Sequence, residues 1–535
     1  MPGESVPQGL WLPPRTATLV VAANNSTDRG RAQADYVCDS VNDHVEIQAA
    51  LDALPATGGE VRLLDGTYYI EASLVLDSYQ TLRGCGRSTI LTTTTAALDI
   101  ITATGGAGTE LVGILLADLC VDGAAGGVAG GEGIWFVYTD FSIIRDCLVQ
   151  NCTYGIDFED CDHIQVTNNI VRDCDLGIEF YIVGSPSCDY NIISGNTCQG
   201  NGSDGIYMDS CNYNTVTDNT CQGNGGAGIY MDSCNYNITS GNTCQGNGLD
   251  GISIASSSYN NISDNIIQGN GGAAGISLWN SSYNCITGNI AQGNNQDGMR
   301  IGSNSFHNTI ADNTCLENSQ DATNTYDDIS VQSSTSYSTI QGNNCRAGIL
   351  ANKPRYGINV VAGDCLENLV IDNDLYDDGF GTAPFNDVGT GTKLNVYVVP
   401  FSDGTDPQDS GFLINLAAEM ARAWLRLPNK VVQVVRMKVY ARSVVAEADK
   451  MRLELVINGG ADNEAFNTHA GSVADHPSTS VNFAADDVIF WTVITAGVLA
   501  LLGGDSVEVK VLHEIAGGAD CATDAYFRTV EIEYV

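Results

Sequence analysis

Four carboxylic acids lie at repeated positions in the middle of the chain, each one or three residues after a Gly-Ile pair. They are Asp157, Glu159, Glu179 and Asp209. Carboxylic acids held in pairs donate and accept protons in the cleavage of glycosidic bonds. These four residues are therefore our candidates for acid and base catalysis, with Asp157 and Glu179 as the central pair.

Aromatic and polar residues occupy equivalent positions in neighbouring segments. Aromatic rings stack on the apolar faces of sugars, and carboxylates accept hydrogen bonds from hydroxyl groups. The residues that we expect to bind a glycan are Trp135, Tyr181, Tyr207, Tyr230, Asp232, Trp279 and Arg300. In the alternative interpretation, the acids keep a long sheet soluble and the tyrosines reflect β propensity.

A repeat of about 23 residues positions these side chains. The segment Asn196-Thr-Cys-Gln-Gly-Asn-Gly202 returns from Asn219 and again from Asn242. Periods of 20 to 50 residues are typical of solenoids. The coil is rich in β-branched residues and in Asn, Gly and Ser, and it has no series of helix formers, so we predict three short strands per coil. Stacked Asn side chains are expected to hydrogen-bond along the axis.

Side chains alternate along each strand, so the direction of one residue fixes its neighbours. If Ile206 and Met208 point inward, Tyr207 and Asp209 point outward into solvent. Two outward columns follow from this register. The first holds Trp135, Asp157, Glu179, Tyr207, Tyr230, Ser253, Ser277 and Arg300, and the second holds Val137, Glu159, Tyr181, Asp209, Asp232, Ala255, Trp279 and Gly302.

The repeat resembles a known group of proteins. Its pattern of Asn-x-Ile-x-x-Asn, Asn-Gly, Gly-Ile and Ser-x-x-Asn is similar to the right-handed parallel β-helix of the pectate lyase-like superfamily, over roughly residues 35 to 380. The resemblance implies an all-β fold. It leaves the activity open, because this architecture carries lyases, hydrolases, epimerases, adhesins and bacteriophage tailspikes.

One local segment resembles an enzyme motif. Tyr154-Gly-Ile-Asp-Phe-Glu-Asp160 is similar to the Tyr-Gly-Phe-Asp-Pro-His-Asp segment of alginate C5-epimerases. Glu159 stands where that family has its catalytic His, and the Gly-Ile-Asp part also belongs to the ordinary repeat. The departure argues against epimerase activity.

The chain divides into four predicted regions. Residues 1–34 form an N-terminal attachment segment, and residues 35–95 form a cap with the first coils, including an amphipathic helix after Asn42-Asp43 that covers the open end of the solenoid. Residues 96–385 form the β-helix. Residues 386–535 have long alternating strands, which predict an antiparallel β-sandwich of jelly-roll type.

Composition restricts the partners. The formal net charge is −41, which disfavours nucleic acid and anionic membranes, since phosphate contacts need clustered Lys and Arg. No stretch reaches the roughly 18 apolar residues of a membrane span. We expect no cofactor, although a carboxylate cluster is able to bind Ca²⁺. The start of the sequence lacks the basic segment of a signal peptide, so either a signal has been removed upstream or the protein reaches the outside without one.

The 18 cysteines fall largely into register. Cys198, Cys221 and Cys244 share one repeat position, and Cys211 and Cys234 share another. Side chains on adjacent parallel strands point the same way rather than at each other, so we predict reduced, buried thiol columns.

Three functions fit the sequence. We favour a virion surface spike, a homotrimer that recognises a cell-surface polysaccharide, and we leave open whether it also cleaves that polysaccharide. The second is a secreted polysaccharide lyase or hydrolase with a carbohydrate-binding module. The third is a non-enzymatic filament or surface protein that uses the β-helix as a rod.

Overall fold

The computed structural model describes residues 17–123, 131–183, 187–375, 379–390 and 392–395, together with the strands of the C-terminal part. The described segments before the C-terminal strands form a right-handed parallel β-helix of about 13 turns. The predicted solenoid is therefore confirmed. Two compact units divide the chain, one made of residues 1–369 and 378–393 and the other of residues 370–377 and 394–535.

Three parallel sheets form the walls of the β-helix. Sheet 1 consists of Tyr36–Val37, Thr18–Ala22, Gly59–Leu63, Gln80–Arg83, Leu115–Ala117, Ile143–Arg145, Gln165–Thr167, Ile192–Ser194, Thr215–Thr217, Ile238–Ser240, Asn261–Ser263, Cys285–Thr287, Thr309–Ala311, Thr339–Gln341, Leu369–Ile371 and Lys393–Asn395. Sheet 2 consists of Gly66–Tyr69, Thr89–Thr92, Cys120–Asp122, Leu148–Gln150, Ile170–Arg172, Thr197–Gln199, Thr220–Gln222, Thr243–Gln245, Ile266–Gln268, Ile290–Gln292, Thr314–Leu316 and Asn344–Arg346.

Sheet 3 carries most of the candidate residues. It consists of Leu74–Val75, Ile101–Thr104, Ile134–Val137, Tyr154–Glu159, Leu176–Tyr181, Ile206–Asp209, Ile229–Asp232, Ile252–Ala255, Ala274–Trp279, Asp297–Gly302, Ile329–Val331, Tyr356–Val360 and Ala383–Asp387. A two-stranded sheet, Leu111–Val112 with Thr139–Asp140, lies beside these walls.

The interior is a stack of identical or similar apolar side chains. Ile206, Ile229 and Ile252 are register partners on successive strands, and all three are fully buried. The Gly of each Gly-Ile pair is required by close approach: a Cβ at Gly205 would lie 2.7 Å from the carbonyl oxygen of Gly228. The predicted inward register is confirmed.

Buried asparagines form hydrogen-bonded columns along the axis, as predicted. Asn196 Nδ2 donates to Asn219 Oδ1 at 3.0 Å, and Asn219 Nδ2 donates to Asn242 Oδ1 at 3.0 Å. A second column includes Asn201 and Asn224. In the described residues the cysteines are free thiols, and all but Cys85 and Cys285 are buried.

Two helices lie near the N-terminal end, α1 at Asp28–Gln33 and α2 at His44–Asp52. Helix α2 begins after Asp43, as the sequence indicates, and buries Ile47 and Leu51. Its role as a cap remains a prediction. The Asp43 carboxylate does not cap the helix; it accepts hydrogen bonds from Ser40 N and Tyr69 N instead. No helix of the described residues is long and apolar enough to cross a bilayer.

The C-terminal strands form two antiparallel sheets. One consists of Phe412–Ile414, Ala525–Tyr534, Val434–Ser443 and Val488–Thr492, and the other of Met420–Arg426, Ser506–Glu514, Lys450–Asn458 and Gly471–Val473. The packing of these sheets as a jelly roll lies outside what the structure describes and remains a prediction, as do the predicted domain boundaries. The attachment segment lies in residues 1–34, of which residues 17–34 are described.

Candidate functional site

Sheet 3 brings the first predicted column together. The strand register pairs Trp135 with Asp157, and Asp157 with Glu179. Glu179 is in turn the partner of Tyr207, which is the partner of Tyr230. The two residues of each pair lie on adjacent strands, which are about 4.8 Å apart. The register places the two central carboxylic acids on adjacent strands.

Asp157 is buried rather than exposed. Its side chain points outward from the coil, yet the residue is only 1% accessible to solvent. Alternation along a strand predicts the direction in which a side chain points, but it does not predict how far that side chain is exposed to solvent. Glu132, which precedes the strand Ile134–Val137 and is not part of the repeat pattern, is the charged group that raises the pKa of Asp157 most, after the effect of burial. The expectation that Asp157 faces solvent is therefore wrong.

Three neighbouring carboxyl groups have pKa values far above those of free acids. Burial raises the pKa of Asp157 to about 9, and the charges of Glu132 and Glu179 add to the effect. Burial also raises the pKa of Glu132 to about 8, together with the charge of Asp99. The pKa of Glu179 is raised to about 7 by burial and by Asp209. Asp157 and Glu132 are consequently protonated at neutral pH.

Buried polar atoms meet at this position. Within the described residues, Trp135 Nε1 is buried and makes no hydrogen bond. Asp157 Oδ1 and Glu132 Oε2 are buried as well, and a hydrogen bond between these two side chains lowers the pKa of Glu132 against the effect of burial. A buried polar atom without a partner costs about 1–3 kcal/mol, so native proteins tolerate few of them. Trp135 Nε1 therefore keeps a free donor beside the two acids. We call Trp135, Glu132, Asp157 and Glu179 the acidic patch.

Residues of both outward columns continue the face of sheet 3 beside and beyond the acidic patch. Tyr181 Oη donates a hydrogen bond to Glu159 Oε2 at 3.1 Å. Farther along, Tyr207 and Tyr230 are partly exposed, and their ring centroids are 5.4 Å apart with the rings tilted by 46°. Asp209 and Asp232 are register partners beside them. Tilted rings with open faces suit contact with sugars.

The remaining predicted residues lie much farther along the axis. Trp279 pairs with Ala255 and Gly302, and Arg300 pairs with Ser277. Trp135 and Arg300 are separated by seven strand steps, or about 34 Å at the usual strand spacing. The candidate residues therefore line one long face and do not converge on one pocket.

A column of stacked aromatic rings was missed by the sequence reasoning. Its members occupy the corner between sheets 3 and 1, with ring centroids 4.5 to 5.3 Å apart. They are Phe141, His163, Tyr190, Tyr213, Tyr236, Tyr259, Tyr283, His307 and Tyr337. All have positive φ, between 50° and 61°. Because the rings cover one another's faces, only their edges are open, which makes this aromatic column a poor platform for sugar rings.

Metal ligands come together at a different place. In the described part of the chain, the only three ligand atoms of His, Cys, Asp or Glu within 4.8 Å of one another belong to Cys38, Asp43 and Glu46. Asp43 already accepts two backbone hydrogen bonds there. This group is therefore part of the N-terminal fold, and calcium at the acidic patch remains a prediction.

Comparison with known proteins supports the fold. Residues 204–376 match the family model described as right handed beta helix region, and residues 125–270 match that of a periplasmic copper-binding protein. Among the described residues of the second span, no three ligand atoms of His, Cys, Asp or Glu lie within 4.8 Å of one another. No curated protein matches the chain.

Solved structures with a similar fold are distant. The A-module of a mannuronan C-5 epimerase from Azotobacter vinelandii is 18% identical, with a TM-score of 0.46, covering 66% of this chain and 96% of its own. Tailspike protein 3 of bacteriophage CBA120 is 10% identical, with a TM-score of 0.44 and coverages of 70% and 63%. A DFA-IIIase from Arthrobacter chlorophenolicus is 14% identical, with a TM-score of 0.46 and coverages of 61% and 88%. These distant similarities carry no argument about activity.

Proposed function

We propose that the outward face of sheet 3 binds an extended polysaccharide and that the acidic patch hydrolyses one of its glycosidic bonds. The observation that carries this proposal is Asp157, a buried carboxyl group whose register partner on the next strand is Glu179. Its pKa of about 9 means that it holds a proton at neutral pH, which it is able to donate to a glycosidic oxygen. The tyrosines beside it supply contacts for successive sugar rings.

The distribution of charge favours this interpretation over simple solubility. If outward acids only kept the solenoid soluble, they would occur on all three sheets. Between residues 192 and 292 the outward positions of sheets 1 and 2 hold Thr, Ser, Ile, Asn, Gln and Cys, with no charged side chain. On the same coils sheet 3 carries Asp209 and Asp232. The acids of the strands are therefore concentrated on the face that also carries the partly exposed aromatic rings.

The reaction divides between two carboxyl groups. Asp157 donates its proton to the glycosidic oxygen as the bond from the anomeric carbon to that oxygen breaks. Because adjacent strands hold the two carboxyl groups at the short separation of retaining glycosidases, the Glu179 carboxylate attacks the anomeric carbon and forms a glycosyl ester as that bond breaks. Ionised Asp157 then takes a proton from a water molecule that attacks the anomeric carbon, which releases Glu179 as a carboxylate and restores the acid form of Asp157.

Release of reducing ends from a panel of polysaccharides tests this proposal. We expect Asp157→Asn and Glu179→Gln each to lower the rate by at least about 100-fold, the usual contribution of general acid or base catalysis. For the wild type the rate should rise as Glu179 loses its proton near pH 7 and fall as Asp157 loses its proton near pH 9.

Asp264→Asn is the matched control, because Asp264 lies in a corner away from sheet 3 and has the positive φ that Asn tolerates. It should keep the full rate. A double variant of Asp157 and Glu179 that remained fully active would remove both residues from the mechanism.

We further propose that the chain acts as a homotrimeric spike on a virion surface or another extracellular surface. The order of helix, solenoid and antiparallel strands along the chain supports this role. Mass measurement of the purified protein in solution tests this role, and we expect the mass of three chains. A monomer would favour a secreted enzyme, and an open polymer would favour a structural rod.

A further inference from the structure

Trp279 exposes its side chain on sheet 3, several strands beyond the acidic patch. The side chain is 52% exposed. A Cβ built on Gly302, its register partner on the next strand, would lie 3.5 Å from Trp279 Cε3 and 3.6 Å from Cζ3. The six-membered part of the indole therefore lies beside the glycine, where no side chain covers it. An exposed indole next to a glycine is able to contact the apolar side of a sugar ring.

Arg300 lies beside this indole. It is two residues before Gly302 on the same strand, so both point outward. Its Nη2 donates to Gln332 Oε1 at 2.7 Å, while its buried Nε makes no hydrogen bond within the described residues. A guanidinium has five N–H donors in a planar fork that matches a carboxylate, sulfate or phosphate group. Arg300 retains donors for such a ligand.

The charge of Arg300 is only partly offset by its surroundings. Asp250 and Asp297 are acids whose pKa values the charge of Arg300 lowers, against the larger effect of burial. Burial nevertheless raises the pKa of Asp297 to about 7, and it raises the pKa of Asp250 as well. Ser277 Oγ donates a hydrogen bond to Asp250 Oδ2 at 2.5 Å. Among the described residues of the two outward columns, Arg300 is the one cation.

We propose that Trp279 and Arg300 form a subsite for an anionic sugar unit, whose ring lies on the indole and whose acid group pairs with the guanidinium. This inference rests on the proposed function and assigns the polysaccharide to the acidic class. Trp279 and Arg300 lie five and six strand steps from Asp157, about 24 and 29 Å along the axis. An oligosaccharide that reaches both places must therefore be several units long.

The test compares matched ligands. The probes are hexasaccharides of galacturonate, glucuronate or mannuronate, each paired with its carboxyl-reduced form, and a sulfated neutral hexasaccharide. We expect at least one acidic probe to bind the wild type about 10-fold to 100-fold more tightly than its reduced form, the gain expected of a charge-assisted hydrogen bond. Preference for the sulfated probe alone would assign the acid group to sulfate.

Variants assign the preference to residues. Arg300→Gln should bind the acidic and reduced probes equally, Arg300→Lys should keep part of the preference, and Trp279→Ala should weaken both probes. Arg172→Gln is the control, since Arg172 is exposed on sheet 2, and it should change nothing. Thermal melts verify that each variant is folded.

The outcomes separate the two proposals. If Arg300→Gln keeps the preference, or if the wild type binds only reduced or neutral chains, the anionic subsite is wrong while polysaccharide binding stands. If no polysaccharide of any kind binds, the proposed function is wrong and the subsite with it.

Discussion

The carboxyl group of Asp157 links the stability of the fold to the proposed chemistry. Its pKa in the folded chain is about 9, against about 3.9 in an unfolded chain. Because the folded-state pKa is raised, full stability is present below about pH 4 and is lost progressively as the pH rises toward 9. Asp157→Asn, which resembles the protonated acid, removes this loss.

We therefore expect Asp157→Asn to stabilise the protein increasingly between pH 4 and pH 9, by at most about 1.4 kcal/mol per pH unit. Thermal melts across this range measure the effect. The control Asp264→Asn should show no such trend. If Asp157→Asn were less stable than the wild type at pH 8, the carboxyl group would be ionised and paired, and it could not serve as the acid.

The sequence predicted which residues share this face, and it could not predict their environment. The 23-residue repeat fixes the register of Asp157, Glu179 and Tyr207, because strand alternation is a local property. The spacing does not show that Asp157 is buried, and Glu132, whose charge adds to the raised pKa of Asp157, lies in the irregular segment before a strand and has no counterpart in the repeat. The perturbed pKa values follow from that burial and so could not be read from spacing.

Asparagine columns stabilise the coils against one another. Asn219 Oδ1 accepts hydrogen bonds from Asn196 N and Nδ2, and Asn219 Nδ2 donates to Ile193 O at 2.8 Å. Asn219→Ala leaves two groups buried without these partners, the backbone N–H of Asn196 and the carbonyl group of Ile193. At about 1–3 kcal/mol for each group, we expect a loss of about 2–6 kcal/mol.

Urea unfolding measures this loss. Gln222→Ala is the matched control on the same coil, because Gln222 is exposed on sheet 2, and it should shift the free energy of unfolding by less than about 0.5 kcal/mol. Equal midpoints for the two variants would show that the columns are not important for stability.

The aromatic column illustrates a signal that was present in the sequence and was not recognised. Asn-Tyr-Asn occurs at 212–214 and again at 235–237, in step with the repeat. Its structural meaning depends on a left-handed backbone, with φ of 57° at Tyr213 and 61° at Tyr236. Bulky residues rarely adopt this conformation, and periodicity alone does not predict it. Ring stacking along the axis offsets the strain.

The solenoid as a whole presents two different aromatic surfaces on the same coils. Tyr207 and Tyr230 lie on sheet 3 beside Asp209 and Asp232, whereas Tyr213 and Tyr236 lie in the aromatic column, stacked 5.1 Å apart. Only the first pair belongs to the proposed binding face. Because the two pairs contain the same residue type on the same coils, they provide a direct comparison.

The most direct measurement is the affinity of polysaccharide for two double variants, Tyr207→Ala with Tyr230→Ala and Tyr213→Ala with Tyr236→Ala, by affinity electrophoresis or calorimetry. We predict that the first variant binds at least about 10-fold more weakly than the wild type, a loss of about 1.4 kcal/mol, and that the second retains wild-type affinity. Loss of binding in the second variant alone, or equal affinity in both, would contradict the assignment of sheet 3 as the polysaccharide-binding face.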